Sequence, residues 1–146
     1  MFFYLTKKEV VDSYLKTIEV SGGGFLGYRG KEGENLLESI LGHIQNNDYY
    51  PKIEDKLLYL FYGINKGHVF SDGNKRMAIV LSSQFLLKNG YLYAVKKFMT
   101  EMENISYHVA SSKINKELLE EIIISLIYES EFSEELKLKI FNSIYE

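Results

Sequence analysis

Apolar residues recur along most of this chain at intervals of three and four positions, the spacing that places side chains on one face of an α-helix. The first such face runs from Val10 to Ile18 and follows Thr6-Lys7-Lys8-Glu9, which has the pattern of a helix-capping box. The same spacing recurs in later segments and predicts about seven helices in all. The other predicted helices cover approximately residues 36–44, 53–64, 72–89, 100–111, 118–127 and 133–144.

Several of these helices carry start or stop signals. Thr100-Glu101-Met102-Glu103 is a second capping box and predicts that a helix begins there. Ser133 is predicted to cap the last helix, and Gly90 is predicted to end the fourth. The fourth segment is apolar on most sides, so we expect it at the centre of the fold.

The breaks between helices are rich in glycine and polar residues. Ser21 to Gly33 is predicted to be a loop, and Gln45 to Lys52 holds the only proline and is predicted to be an exposed turn or a small β flap. Tyr91 to Val95 is the other segment that an extended conformation would suit. Since β signals are otherwise weak, the predicted fold class is all-α, a single-domain bundle of about seven helices with a β flap as the one optional addition.

Composition excludes several classes of protein. The 146 residues suit one domain, and a hydrophobic content of 46% argues against disorder. No apolar run is long enough to span a membrane, and the first residues lack the pattern of a secretory signal. The absence of cysteine excludes disulfides and thiolate sites, and the net charge of −3 does not favour direct binding of nucleic acid. These features predict a cytoplasmic protein.

The most informative segment is the nine-residue run from His68 to Arg76, His-Val-Phe-Ser-Asp-Gly-Asn-Lys-Arg. It leads directly into the apolar fourth helix, which begins its apolar run at Met77. The first turn of a helix has free backbone N–H groups and the positive end of the helix dipole, and both favour an anion such as phosphate. We therefore expect a phosphate-binding loop here, with Phe70 pointing inward as its anchor.

Three residues of this run suit proton transfer, metal binding and close approach of a ligand. His68 is the candidate catalytic base, because its side chain titrates near neutral pH. Asp72 is the candidate metal ligand, because a carboxylate can share Mg²⁺ with phosphate oxygens. Gly73 is a candidate for binding the cofactor, since it allows the backbone to approach a ligand or to take a positive φ.

The last three residues of the run are candidates both for catalysis and for binding the phosphate of a cofactor. Asn74 has an amide N–H to donate, Lys75 is a compact cation, and Arg76 offers a planar fork that can bind phosphate through two hydrogen bonds. Each residue alone has an ordinary structural explanation. The combination is harder to explain in that way, because two adjacent cations at a helix N-terminus cost stability unless an anion lies there.

The run also carries a family resemblance. It fits H-x-F-x-D-[AG]-N-[KG]-R and resembles the signature of the Fic/Doc (Fido) family, most closely that of the Doc, or death-on-curing, toxins. Gly22 to Leu41 resembles the glycine-rich approach seen in Doc proteins. The similarity extends over roughly Met1 to Tyr128, which implies a Fido domain over residues 1–128. Residues 129–146 would then be a C-terminal helical extension packed on the same domain.

The Doc branch implies a particular reaction. Lys75 stands where the Fic branch usually has glycine, and Ile79 stands where that branch has a second arginine. The resemblance to Doc implies transfer of the γ-phosphoryl group of ATP, with Mg²⁺, to a Ser or Thr hydroxyl of a target protein. By resemblance the target is a translation factor such as elongation factor Tu, and the partners are this protein substrate and a separate antitoxin.

Two alternatives stay open at this point. The same motif could transfer AMP, as in the Fic branch, or the chain could be a degenerate Fido-fold binding protein. The intact His68 and Asp72 argue against a pure binding role, since such a protein needs neither a proton acceptor nor a metal ligand.

Three further features have competing interpretations. His43 and His108 are predicted to be structural or surface residues, because neither has the spacing of a metal-binding pair. Asp48 to Pro51 is either an exposed turn or, by resemblance, part of a flap that holds a protein substrate near the motif. Ser125-x-x-x-Glu129-Ser130 partly matches an inhibitory motif of some Fic proteins, but we interpret it as the end of a helix.

Overall fold

The seven helices that the residue spacing predicts are present in the computed structural model of the chain. The structure describes residues 1–21 and 27–146, and for residues 18–21 it describes the backbone alone. The helices are α1 (Lys7–Ser21), α2 (Gly30–His43), α3 (Ile53–Gly67), α4 (Asn74–Lys88), α5 (Leu92–Ala110), α6 (Lys116–Tyr128) and α7 (Glu134–Tyr145). In these residues the only β pairing is a single bridge between Tyr28 and Phe70, so the all-α prediction is confirmed.

α4 is the central helix, in contact with α1, α3 and α5. Its side chains Met77, Ala78, Leu81, Phe85 and Leu86 are each at most 1% exposed. Full burial of a side chain as large as Phe85 contributes roughly 1.5–3 kcal/mol through the hydrophobic effect. The polar run is therefore attached to a firmly packed helix. This agrees with the prediction that the fourth segment, which is apolar on most sides, lies at the centre of the fold.

Three of the predicted helix ends have the expected hydrogen bonds or backbone angle. The Thr6 N–H donates to Glu9 Oε1 at 3.0 Å, and the Glu9 N–H donates to Thr6 Oγ1 at 3.1 Å, which is a capping box. The Ser133 hydroxyl accepts from the Leu136 N–H at 3.1 Å at the start of α7. Gly90 has a φ of +86° just after α4, as a glycine that ends a helix does.

The predicted start of the fifth helix at Thr100 is wrong. α5 begins at Leu92, and the Thr100 hydroxyl donates to a backbone carbonyl one turn earlier in the same helix, at 2.9 Å. The alternative of an extended Tyr91 to Val95 is wrong for the same reason. Ala94 and Phe98 are fully buried, and their packing extends the helix through a segment whose local sequence resembles a start signal.

Gln45 to Lys52 forms a turn and contains no strand. The Asn46 side-chain oxygen accepts from the backbone N–H groups of Asp48 and Tyr49 at 2.9 and 3.2 Å, which closes the turn locally. Of the two alternatives, the exposed turn is therefore correct and the flap near the motif is not, because all of α3 lies between this turn and His68. A helix of that length spans about 22 Å.

The predicted bounds of the glycine-rich loop, Ser21 to Gly33, are wrong at both ends. α1 continues to Ser21 and α2 already begins at Gly30, so Gly33 belongs to a helix. Residues 22–26, which contribute to the resemblance of Gly22 to Leu41, lie outside the described residues. The same is true of the side chain of Ile18, which was expected on the apolar face of α1.

α7 contacts α6 through only part of its predicted apolar face. Leu136 is 6% exposed and belongs to the core, whereas Leu138 and Phe141 are 59% and 57% exposed. Among the helices that the structure describes, none combines the length and apolar character needed to cross a membrane.

Candidate functional site

The polar run joins the end of α3 to the start of α4. His68 ends α3 with φ 53° and ψ 58°, a left-handed backbone conformation that is uncommon for a residue with a side chain. Such a conformation costs about 1 kcal/mol or more and persists only where surrounding contacts enforce it. The imidazole of His68 is exposed, so the backbone turn presents the proposed base to solvent.

Arg29 supplies those contacts. Its Nε donates to the carbonyl oxygen of His68 at 2.7 Å, and its backbone N–H donates to the carbonyl oxygen of Val69 at 2.9 Å. A guanidinium Nη also reaches the Gly67 carbonyl oxygen at 3.4 Å. Sequence reasoning missed this role, although Arg29 is the only arginine outside the His68–Arg76 run.

A close approach between α2 and the loop explains why a glycine is needed at Gly33. A Cβ atom built on this residue would lie 2.2 Å from the carbonyl oxygen of Val69, which is closer than real atoms approach. The first turn of α2 therefore lies directly against the backbone that follows His68. Any larger residue at this position must displace the loop.

Residues 27–29 pair with residues 69–71 in an antiparallel manner. The Ser71 N–H donates to the Gly27 carbonyl oxygen at 3.0 Å, and the Ser71 hydroxyl donates to the Tyr28 carbonyl oxygen at 3.1 Å. Residues 27–29 thus lie beside the motif, the place that a flap at residues 45–52 was one alternative to fill. No local pattern indicates this pairing, because it joins residues more than forty positions apart.

Phe70 anchors the loop, as expected. It is 2% exposed, and its ring lies between those of Tyr14 and Tyr28 with centroids 4.5 and 5.7 Å away. The Tyr14 hydroxyl donates to the backbone carbonyl oxygen of Asp72 at 3.0 Å, so the same cluster fixes the position of the proposed metal ligand. Burial raises the pKa of the Tyr28 hydroxyl above its ordinary value.

Asn74 has a structural function that the sequence did not reveal. Its side-chain oxygen accepts from the Phe70 N–H, and its Nδ2 donates to the Phe70 carbonyl oxygen, both at 2.9 Å. The side chain is 9% exposed and braces the loop from within. Its amide oxygen and one of its two N–H bonds are thus already engaged.

The start of α4 has the character of an anion-binding site. Gly73 precedes it with φ +82°, and no side chain among the described residues caps the helix. The first turn has no acidic residue, while Lys75 and Arg76 are both exposed. Free N–H groups, the positive end of the helix dipole and two cations therefore act in the same place.

A cleft of about 600 Å³ opens beside this turn, between the start of α4 and the side of α5. This volume suits a small organic ligand such as a nucleotide. The described residues that line it are Asp72, Gly73, Lys75, Arg76, Ile79, Val80, Met99, Glu103, Ser106 and Tyr107. Four of the six predicted site residues therefore meet in one cleft, while His68 stands outside its lining and Asn74 supports it from beneath.

The donor set fits Mg²⁺ only when phosphate is present. In the described part of the chain, no group of three His, Asp or Glu residues is arranged to hold a metal ion. Asp72 is an exposed carboxylate on the cleft beside two phosphate-binding cations. Mg²⁺ is commonly held by one or two carboxylates together with substrate phosphates and water, so Asp72 is a fitting ligand for such an ion.

Comparison with known proteins agrees with this geometry. Residues 4–86 match the sequence model of the Fic/DOC family, more than half of the chain and all of the His68–Arg76 run. No match was found among curated proteins.

Proposed function

Because the chain belongs to the Fic/DOC family, we propose that it transfers the γ-phosphoryl group of ATP to a Ser or Thr hydroxyl of a protein, as the Doc branch does. The observation that carries this proposal is the uncapped first turn of α4, where Lys75 and Arg76 are exposed on a cleft of nucleotide size. Lys75 also occupies the position at which AMP-transferring chains have glycine.

The geometry supports a division of roles between the two sides of the loop. His68, at the turn outside the cleft, takes the proton from the protein hydroxyl as the hydroxyl oxygen attacks the γ-phosphorus. The bond between the γ-phosphorus and the bridging oxygen breaks, and ADP leaves with the electron pair of that bond. Lys75, Arg76 and the first-turn amides stabilise the negative charge on the transferred group.

Asp72 would hold Mg²⁺ together with the phosphate oxygens, and the ion would neutralise part of the phosphate charge. The Tyr14 hydroxyl bound to the Asp72 carbonyl keeps this residue at the mouth of the cleft. Asn74 acts on the reaction by bracing the loop, and its second amide N–H remains available to a phosphoryl oxygen.

The remainder of the cleft suits the nucleoside. Ile79, Val80 and Met99 form an apolar wall, and Tyr107 offers an aromatic ring that is 57% exposed. An adenine base can pack on such surfaces while its phosphates reach the start of α4. Ile79 adds no positive charge at the position of the second arginine of the Fic branch, which favours phosphoryl transfer over AMP transfer.

Labelled ATP tests the proposal directly. The purified protein is incubated with a cell lysate and with ATP labelled at either the γ- or the α-phosphorus, and modified proteins are identified by mass spectrometry. We expect label from the γ-phosphorus alone, and none with His68→Ala. Label from the α-phosphorus would establish AMP transfer instead, and no label from either position would favour a binding protein.

Lys75→Gly sharpens this test. The substitution removes a cation beside the phosphates, so we expect weaker transfer from the γ-phosphorus. Any label that appears from the α-phosphorus with this variant identifies Lys75 as the residue that selects the phosphoryl group.

We further propose that the protein acts as a toxin restrained by a separate antitoxin, with a translation factor such as elongation factor Tu as its target. The support for this is the likeness of the His68–Arg76 run to the Doc branch. Purified elongation factor Tu offered as substrate tests the target, and a modified protein of another kind in the lysate would correct it.

A further inference from the structure

A buried set of hydrogen bonds connects the two ends of the motif loop through a third helix. Asn65, in the last turn of α3, donates from Nδ2 to both the carbonyl oxygen and the hydroxyl of Ser106 on α5, each at 2.9 Å. The Ser106 hydroxyl in turn donates to the carbonyl oxygen of Lys75, in the first turn of α4, at 2.8 Å. We name these three hydrogen bonds the Asn65–Ser106 bridge.

The Asn65–Ser106 bridge is largely shielded from water, and only its bond to Lys75 lies at the edge of the cleft. Asn65 and Ser106 are each 1% exposed, and hydrogen bonds in such an interior are stronger and better directed than those at the surface. The single Ser106 hydroxyl accepts from one helix and donates to another. It therefore holds the end of α3 and the start of α4 at a set separation.

Other buried serines show that helix packing does not require this arrangement. Ser82 on α4 and Ser125 on α6 are at most 1% exposed, and their hydroxyls have no hydrogen-bond partner in the described part of the chain. Ser106 differs from them in having partners on two other helices, α3 and α4, and it also borders the cleft.

The two ends that the bridge connects carry the two halves of the proposed chemistry. The end of α3 leads into His68, and the first turn of α4 carries Lys75 and Arg76. We infer that Asn65 and Ser106 are positioning residues, which set the distance between the base and the phosphoryl group held at the start of α4. This inference rests on the proposed transfer reaction.

Misalignment should slow the chemical step more than it weakens binding. Displacement of a reacting group by about 1 Å can reduce a rate about 10²-fold, although the nucleotide keeps its own contacts with the cleft. Loss of the Ser106 hydroxyl is therefore expected to lower kcat and to leave the KM for ATP nearly unchanged, which is the pattern for an interaction used in the transition state.

The experiment compares Ser106→Ala with Ser82→Ala, which removes from α4 a buried hydroxyl that has no partner among the described residues. Transfer from γ-labelled ATP is measured at a temperature well below the thermal midpoint of every variant. We expect kcat to fall about 10-fold or more for Ser106→Ala, with its KM for ATP changed less than about threefold, and no change for Ser82→Ala. Equal kcat values for the two variants, or an equal loss of binding and turnover, would overturn the inference.

Ser106→Cys decides the matter if Ser106→Ala does not fold. A thiol is somewhat larger than the hydroxyl, so it leaves no cavity, but it is a weak donor, and we therefore expect a folded variant with reduced kcat. Wild-type kcat in Ser106→Cys would overturn the inference. Failure of the unmodified protein to transfer either label would overturn the proposed function and this inference with it, whereas transfer that Ser106 variants do not slow would overturn the inference alone.

Discussion

At the scale of single residues, His68 combines an exposed imidazole with a backbone that its neighbours hold in a left-handed turn. Arg29 binds the carbonyl oxygens on this turn, while Tyr14 binds that of Asp72. Asn74 braces the loop, whereas the exposed side chains of His68 and Asp72 are free to act, because other residues hold the backbone carbonyls around them. Substitution of such a side chain should alter the reaction far more than the fold.

For His68 we expect His68→Asn to reduce transfer about 10²–10⁴-fold, the usual contribution of a general base. Asparagine tolerates the left-handed conformation, so the thermal midpoint should stay close to that of the unmodified protein. The measurement is single-turnover transfer from γ-labelled ATP together with thermal unfolding. His43→Asn serves as control, since His43 lies at the far end of α2, bonded to Tyr59. Near-normal transfer by His68→Asn would contradict the proposal that His68 is the general base.

For Asp72 we expect transfer by the unmodified protein to require Mg²⁺ and to be lost in Asp72→Ala, because the carboxylate and the phosphates hold the ion jointly. Asp48→Ala, in the turn beyond the other end of α3, should transfer normally. Titration of Mg²⁺ against transfer rate provides the measurement. Full activity in excess EDTA would remove the metal from the mechanism.

At the scale of elements, α1 is joined to the end of the central helix by an ion pair. Lys88, in the last turn of α4, donates to both carboxylate oxygens of Glu9 at 2.6 and 2.7 Å. The hydrogen bond from Lys88 lowers the pKa of Glu9, and the backbone N–H of Thr6 lowers it further. The ion pair helps to hold α1 against α4, and α1 also carries Tyr14, which bonds the backbone of Asp72.

We expect this ion pair to make stability depend on pH. A carboxyl whose pKa is lowered by folding stabilises the protein above its unfolded value of 4.5, and the contribution is lost as the pH falls through the folded value. Glu9→Gln should therefore lower the free energy of unfolding at pH 7 by about 0.5–1 kcal/mol, with the difference disappearing in acid. Urea unfolding across this pH range is the measurement.

The control for Glu9 is Glu134→Gln, because Glu134 pairs with Lys137 on the surface and its side chain is 91% exposed. This change should have little effect on stability at either pH. A constant difference between Glu9→Gln and the unmodified protein from pH 7 into acid would contradict the assigned role of the ion pair.

At the scale of the whole molecule, the residues that form the cleft, the motif loop and their hydrogen-bond partners all belong to the part of the chain from α1 to α5. The last helix, α7, contacts α6. None of the residues that line the described cleft belongs to α7. We propose that residues 1–128 form the Fido domain and that residues 129–146 are an extension packed on it. Stability and activity should then respond differently to changes in α7.

Removal of residues 131–146 is expected to lower the free energy of unfolding by about 2–4 kcal/mol, mainly through loss of the buried Leu136, and to leave transfer intact. Leu136→Ala should account for much of that loss, about 2–3 kcal/mol, while Leu138→Ala, at a position that is 59% exposed, should cost little. Chemical denaturation and the γ-label assay are the measurements. Loss of transfer by a folded truncated chain would show that the extension belongs to the active unit.

The sequence by itself determined the features that depend on neighbouring residues. Helical spacing predicted seven helices, and the capping contacts of Thr6 and Ser133 followed from local patterns because their partners lie three residues away. The His68–Arg76 run indicated the family, and suggested the proposed phosphate-binding turn, for the same reason. Its residue types are adjacent in sequence, so their chemistry is visible before folding.

Only the tertiary structure decided the contacts that join distant segments. Arg29 and Gly33 touch the motif across more than thirty residues, and Ser106 meets Lys75 from another helix. Thr100 resembled a helix start, yet packing of the flanking apolar residues placed it inside α5. The sequence specifies which side chains each segment contains. The packing of segments against one another decides which of those side chains come into contact.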